Sequence, residues 1–118
     1  MPVPRPVVSA GGRPVKAEIT ADAGAVHGVP AVLDGVVSNS AALAAHALAS
    51  DCLGYTIAGH VSAEPGAAAA LEHSGLEPLL DLDMRLGEGT GGLLAVPLVR
   101  AAARVLGEMA TLEEAGIG

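Results

Sequence analysis

From Val29 onward, short apolar runs alternate with longer segments whose apolar residues recur at helical spacing. Ala31-Val32-Leu33 is an unbroken apolar triplet ended by Asp34-Gly35, and reads as a short buried strand. Ser38 or Ser40 then offers an N-cap for a helix running to Ala49. Tyr55-Thr56-Ile57-Ala58 reads as a second strand, followed by a loop over 59–64. Pro65 suits a first helical turn and Gly75 the position just past a helix end, so 66–74 reads as helix. Leu79-Leu80-Asp81-Leu82 is an apolar segment leading into the glycine-rich run 87–92. A long helix is expected over 92–109, with Pro97 as its kink site. Its Arg100, Arg104 and Glu108 stand four apart on one solvent face.

Strands that alternate with helices imply an α/β chain with a parallel sheet. The expectation is a partial Rossmann-like three-layer arrangement with C-terminal helices. Ligands of such sheets bind beyond the carboxyl ends of the strands. Three stretches occupy that position: Asp34-Gly35, 59–64 and 87–92. Residues 1–28 read differently. Pro2, Pro4, Pro6, Gly11, Gly12, Pro14 and Gly24 interrupt every apolar run there. The division expected is therefore a poorly structured leader over 1–28 and the α/β domain over 29–118.

Composition sharpens this picture. The 118 residues suit one domain, yet there is no Phe or Trp and Tyr55 is the lone aromatic. Ala, Leu, Val and Gly must fill the core, so elements have to approach closely. The net charge of −7, with only 6 Lys and Arg, argues against a phosphate-backbone binder, and no nucleic-acid partner is expected. Cys52 is a single cysteine, which excludes an intrachain disulfide and fits a reducing compartment. The N-terminal region has no apolar core of a secretory signal, and the apolar run 91–99 is too short for a bilayer. A soluble, cytoplasmic chain without a membrane partner is expected.

The run Gly87-Glu88-Gly89-Thr90-Gly91-Gly92 matches G-x-G-x-x-G in letters only. A dinucleotide fingerprint follows a clean buried strand, whereas Asp81, Asp83 and Arg85 stand here. The run instead brings one carboxylate to a helix N-terminus, where Glu88 serves either chemistry or the helix dipole. Ser62 lies ahead of another helix start, able to cap it or to join free amides around a phosphate. Asp34, at a strand end, either accepts from ribose hydroxyls or closes a local turn. His27, His46, His60 and His73 lack metal-ligand spacing, so no zinc site is expected.

The run 79–91, Leu-Leu-Asp-Leu-Asp-Met-Arg-Leu-Gly-Glu-Gly-Thr-Gly, closely resembles a signature of the nicotinate-nucleotide–dimethylbenzimidazole phosphoribosyltransferases. Further segments resemble that family in the same order. These are Pro30-Ala31-Val32-Leu33-Asp34-Gly35, the stretch from Ile57 to Gly66, and the closing stretch from Glu108 to Gly116. The resemblance begins near residue 29 and implies transfer of the phosphoribosyl group of nicotinate mononucleotide to 5,6-dimethylbenzimidazole, in assembly of the cobalamin lower ligand. It implies Glu88 as catalytic base. It also implies substrate binding by Asp34 and Gly35 near the ribose, by Ser62 near the 5′-phosphate, and by Leu86 and Gly87. No metal and no cofactor are implied. The family is dimeric, so a homodimer is expected, or association with a missing N-terminal segment. Val36 and Leu112 stand where the family often has Phe, and Gly59 where it often has Ser. The resembling part is roughly the last third of a family member, and Lys16 in the leader receives no role. Two alternatives to an active enzyme are a non-catalytic remnant or partner subunit of such an enzyme, and a dinucleotide-binding module built on 87–92.

Overall fold

The computed structural model describes residues 7–9 and 26–118. Three short strands, β1 (Val7–Ser9), β2 (Ala31–Leu33) and β3 (Thr56–Ala58), form one sheet in the order β1-β2-β3. Both pairings are parallel, with Val8 opposite Val32 and Val32 opposite Ile57. Parallel neighbours need a crossover between them. Between β2 and β3 this crossover is helix α1 (Val36–Leu48) followed by a 3₁₀ turn (Ser50–Tyr55). Helix α2 (Ala67–Ser74) and helix α3 (Thr90–Glu108) follow β3. The architecture is the α/β arrangement expected from the alternation of apolar runs.

Beyond β3 the sheet continues in reduced form. The Gly59 amide donates to the Leu33 carbonyl at 2.9 Å, and the Leu79 amide to Ala58 at 2.9 Å. Leu80 and Val61 exchange further bonds, donating to Gly59 and Leu80 at 3.1 and 3.0 Å, and His60 pairs with Leu80 in parallel register. The apolar segment 79–82 therefore lies alongside the extension of β3 and carries the chain across the strand ends.

The buried residues are small, as the absence of aromatics requires. Ala31, Val32 and Leu33 are fully covered, together with Ala41, Ala42, Ala45, Cys52, Ala58, Ala67, Leu71 and Ala95. Helix α3 packs on β2 and β1, while α1 packs on the 3₁₀ turn and on α2. Gly59 is one position of close approach. A Cβ there would stand 2.7 Å from Val32 Cγ1 and 3.1 Å from Ala95 Cβ, so the bare glycine lets α3 lie close on the sheet.

The structure differs from the sequence expectations in three places. Val7–Ser9, expected within a poorly structured leader, pair with β2, and the rest of 1–25 lies outside the described residues. Helix α1 starts at Val36, ahead of both serines proposed as its cap. Ser38 sits in the first turn, where its hydroxyl accepts from the Asp34 and Gly35 amides at 3.0 and 3.1 Å and donates to the Gly35 carbonyl. Helix α2 starts at Ala67 with Gly66 as its N-cap, so Ser62 is not its cap. Beyond α3 the chain forms a hydrogen-bonded turn over 111–117.

Helix α3 is amphipathic by sequence, but its buried residues are only Gly91, Gly92 and Ala95. Leu93, Leu98, Val105 and Leu106 are exposed, Leu106 at 88%. By length and composition alone the helix could cross a bilayer. Arg100 and Arg104 within it would each cost about 2.5–3.5 kcal/mol near a membrane centre. Packing against protein is the less costly fate for its apolar side.

Candidate active site

Asp34 emerges at the end of β2, and His60 lies two residues beyond β3. The segment 79–92 runs across both ends before entering α3. These elements enclose a cleft of about 90 Å³ lined by Asp34, Gly35, His60, Ser62, Arg85, Leu86, Gly87 and Gly91, among others. It sits at the carboxyl ends of parallel strands, where the open α/β sheet generates ligand sites.

Asp34 is the centre of the bracing. It is 5% exposed, and its two carboxylate oxygens accept from separate amides. Oδ2 takes the Gly89 N–H at 3.1 Å and Oδ1 the Gly92 N–H at 3.0 Å. These donors belong to the first turn of α3, where backbone N–H groups otherwise lack partners and the helix dipole favours a negative charge. A carboxylate from a distant strand thus performs the capping that no local side chain supplies.

His60 braces the same segment from the other strand. It is buried, and its Nε2 accepts from the Leu82 amide at 3.1 Å, which fixes that nitrogen as the unprotonated one. Gly91 lies against both groups. A Cβ on it would come within 2.7 Å of the His60 Cβ and Cγ and within 2.9 Å of Asp34 Oδ1. The Ala63 amide adds a bond to the Met84 carbonyl at 3.0 Å. The three strand-end stretches are therefore one braced unit.

Glu88 stands between two glycines with left-handed backbones, Gly87 at φ 71° and Gly89 at φ 83°. Residues with a Cβ rarely adopt such angles, so the glycines set the path that carries Glu88 into α3. Its side chain is exposed and it is not among the cleft-lining residues, although Leu86 and Gly87 before it are. Ser62 lines the cleft, and its hydroxyl accepts from the Glu64 amide at 3.2 Å, leaving its proton free to donate. Among the described lining residues Arg85 carries the cationic charge and Asp34 and Glu64 the anionic charges.

Of the residues proposed from sequence, Asp34, Gly35, Ser62, Leu86 and Gly87 meet at this cleft, and Glu88 adjoins it. His60 carries no role of its own in the sequence reading, where it enters as a residue without metal-ligand spacing. Its position directly after an apolar strand was the available signal. Arg85 was read only as an argument against a dinucleotide site. Gly91 permits close packing and the Gly92 amide donates to Asp34. Among the described residues no group of three His, Cys, Asp or Glu is placed to hold a metal ion.

Comparison with known proteins follows the same outline. A family model described as phosphoribosyltransferase matches residues 10–117, which takes in most of the segment read as leader. The nicotinate-nucleotide–dimethylbenzimidazole phosphoribosyltransferase of Salinispora tropica is 58% identical over 89 residues, covering 75% of this chain and 24% of that protein. The enzyme of the same name from Cereibacter sphaeroides strain KD131 is 51% identical over 108 residues, covering 91% of this chain and 32% of that protein. A crystal structure of that enzyme from Thermus thermophilus superposes with a TM-score of 0.83 at 48% identity, over 89% of this chain and 32% of that one. The chain thus spans about a quarter to a third of the length of the relatives it matches. With the family model covering nearly all of it and the fold reproduced in a solved member, the chain belongs to the nicotinate-nucleotide–dimethylbenzimidazole phosphoribosyltransferase family.

Proposed function

We propose that this chain supplies the Glu88-bearing part of a cytoplasmic phosphoribosyltransferase site. The reaction would pass the phosphoribosyl group of nicotinate mononucleotide to 5,6-dimethylbenzimidazole, in assembly of the cobalamin lower ligand. The observation that carries this reading is the convergence of Asp34, Gly35, Ser62, Leu86 and Gly87 on one strand-end cleft beside Glu88, in a chain 58% identical to an enzyme of that name.

In the proposed step one ring nitrogen of the benzimidazole attacks the anomeric carbon. The bond to the nicotinate nitrogen breaks, and nicotinate leaves with the electron pair. Attack would leave the azole cationic. Glu88 takes the proton from the other ring nitrogen, so α-ribazole 5′-phosphate with a neutral base and nicotinate result. A positioned general base typically contributes about 10²–10⁴-fold in rate. Gly35 and the remaining lone pairs of Asp34 would meet the ribose, and the Ser62 hydroxyl the 5′-phosphate. Leu86 and Gly87 would border the azole.

The cleft of about 90 Å³ is small beside ligand pockets of about 300–1,000 Å³. Further walls would come from a second copy or from the part of a family member upstream of the matched region. The exposed side of α3 supports such an association. The same small cleft and the exposure of Glu88 favour one other reading, a non-catalytic partner subunit. The deciding experiment measures nicotinate released from nicotinate mononucleotide with dimethylbenzimidazole. It uses the chain alone and the chain co-expressed with the upstream part of the Salinispora tropica relative. Turnover in either preparation supports the enzyme, and its absence from both supports the non-catalytic subunit.

A further inference from the structure

We propose that Asp34 is a positioning residue for Glu88, setting the backbone from which that carboxylate reaches substrate. This rests on the reading of Glu88 as the base. The Gly89 N–H that Asp34 Oδ2 accepts at 3.1 Å belongs to the peptide group whose carbonyl is that of Glu88. Holding that amide fixes the orientation of the peptide plane immediately after Glu88. Oδ1, bound to the Gly92 amide at 3.0 Å, fixes the first turn of α3 on the other side. Glu88 would otherwise lie between two glycines whose backbones rotate freely.

The clamp is itself held. The Asp34 amide donates to Ser38 Oγ at 3.0 Å, which ties the carboxylate to the start of α1, and Asp34 is buried from water that would compete for its oxygens. Gly91, packed against His60 and Asp34 Oδ1, leaves no room for the turn to slide. The line of action runs from Ser38 through Asp34 to the Gly89 peptide and so to Glu88. A role as ribose ligand alone would leave this arrangement without catalytic consequence.

The test compares Asp34→Asn, Glu88→Gln and the double variant in the preparation that turns over nicotinate mononucleotide. Asn presents an NH₂ group to one of the two amides, so one bond is lost at nearly constant size. A displacement of about 1 Å in a catalytic group costs about 10²-fold, so kcat should fall by that order, while KM for nicotinate mononucleotide rises by the smaller factor that the ribose contact of Asp34 contributes. In the Glu88→Gln background the same substitution should lower the remaining rate far less. A raised KM at unchanged kcat would overturn the proposal in favour of a ribose ligand. An equal rate loss in both backgrounds would also overturn it, since Asp34 would then act independently of Glu88. Full turnover in Glu88→Gln, or none in the unmodified preparation, removes the reading of Glu88 and the positioning role together. Loss in Glu88→Gln but not in Asp34→Asn removes the positioning role alone. Hydrogen exchange on the unmodified chain covers the case in which Asp34→Asn does not fold. The Gly89 and Gly92 amides should be protected, and exchange at the rate of free amides would show that the clamp does not exist.

Discussion

The Asp34 carboxylate and the Gly92 amide, 58 residues apart in sequence, are joined by a hydrogen bond of 3.0 Å. This contact fastens the end of a parallel strand to the start of the longest helix, and Gly91 is the residue it confines. Gly91→Ala would place a methyl group 2.7 Å from the His60 ring attachment. Alanine in a helix is favoured over glycine by about 1 kcal/mol. Overpacking a buried contact costs about 1–3 kcal/mol, and here the steric cost should win because neither neighbour is a free side-chain end. Denaturant unfolding of the variant should show a lower midpoint, whereas a raised midpoint would mean that the close approach is not maintained in solution.

Gly59 gives a sharper case. A Cβ at this position meets Val32 Cγ1 at 2.7 Å and the Leu33 carbonyl oxygen at 2.9 Å. Backbone oxygen cannot rotate aside as a side chain can. Gly59→Ser should therefore destabilise this chain by about 1–3 kcal/mol, read as a lower unfolding midpoint with unchanged slope. A neutral outcome would show that α3 and β2 can separate slightly without loss.

Much of this architecture was legible in the residues. The unbroken triplet at 31–33, the run at 55–58 and the Gly75 boundary each mark an element to within about a residue. The relationships among elements were not legible. No spacing rule shows that Asp34 will cap a helix from across the sheet, since the acceptor and its donors are adjacent only after folding. The Ser38 expectation failed because a serine at the third helical position can serve the preceding amides as well as a serine at the cap can. Val7–Ser9 was missed because flanking prolines outweighed a three-residue strand that gains its stability from pairing with β2. The site shows the same division: the glycine-rich run pointed to Glu88, but the bracing by His60 required coordinates.

The C-terminal turn should respond to acid. Glu114 Oε2 accepts from the Thr111 amide at 2.8 Å and from the Thr111 hydroxyl, while that hydroxyl accepts from the Glu114 amide. The backbone hydrogen bond from Thr111, followed by that of its side chain, holds the Glu114 carboxyl below its ordinary value of 4.5. A depressed carboxyl stabilises its fold above the ordinary value and loses that contribution as pH falls through the depressed one. The turn should therefore be formed at neutral pH and open only in acid below the ordinary carboxylate range. The Thr111 amide resonance should report one titration there. A transition near neutrality would contradict the assignment.

The exposed apolar side of α3 should not remain open in solution. Leu93, Leu94, Leu98, Val105 and Leu106 lie on one helix and are about half exposed or more. Sedimentation at increasing concentration should show self-association, weakened by Leu98→Glu together with Val105→Glu. A stable monomer at high concentration would remove the second copy as the cover for this face.

The role of Glu88 is tested most directly by Glu88→Gln, with turnover and thermal stability measured on the same preparation. Gln keeps the size and one accepting oxygen but cannot take the azole proton at neutral pH. For a catalytic base, kcat should fall by about 10²–10⁴-fold with nucleotide binding and melting temperature nearly unchanged. If Glu88 serves only the dipole of α3, the substitution should cost about 0.3–1 kcal/mol of stability and leave turnover intact. Retained turnover with a lowered melting temperature would contradict the catalytic assignment.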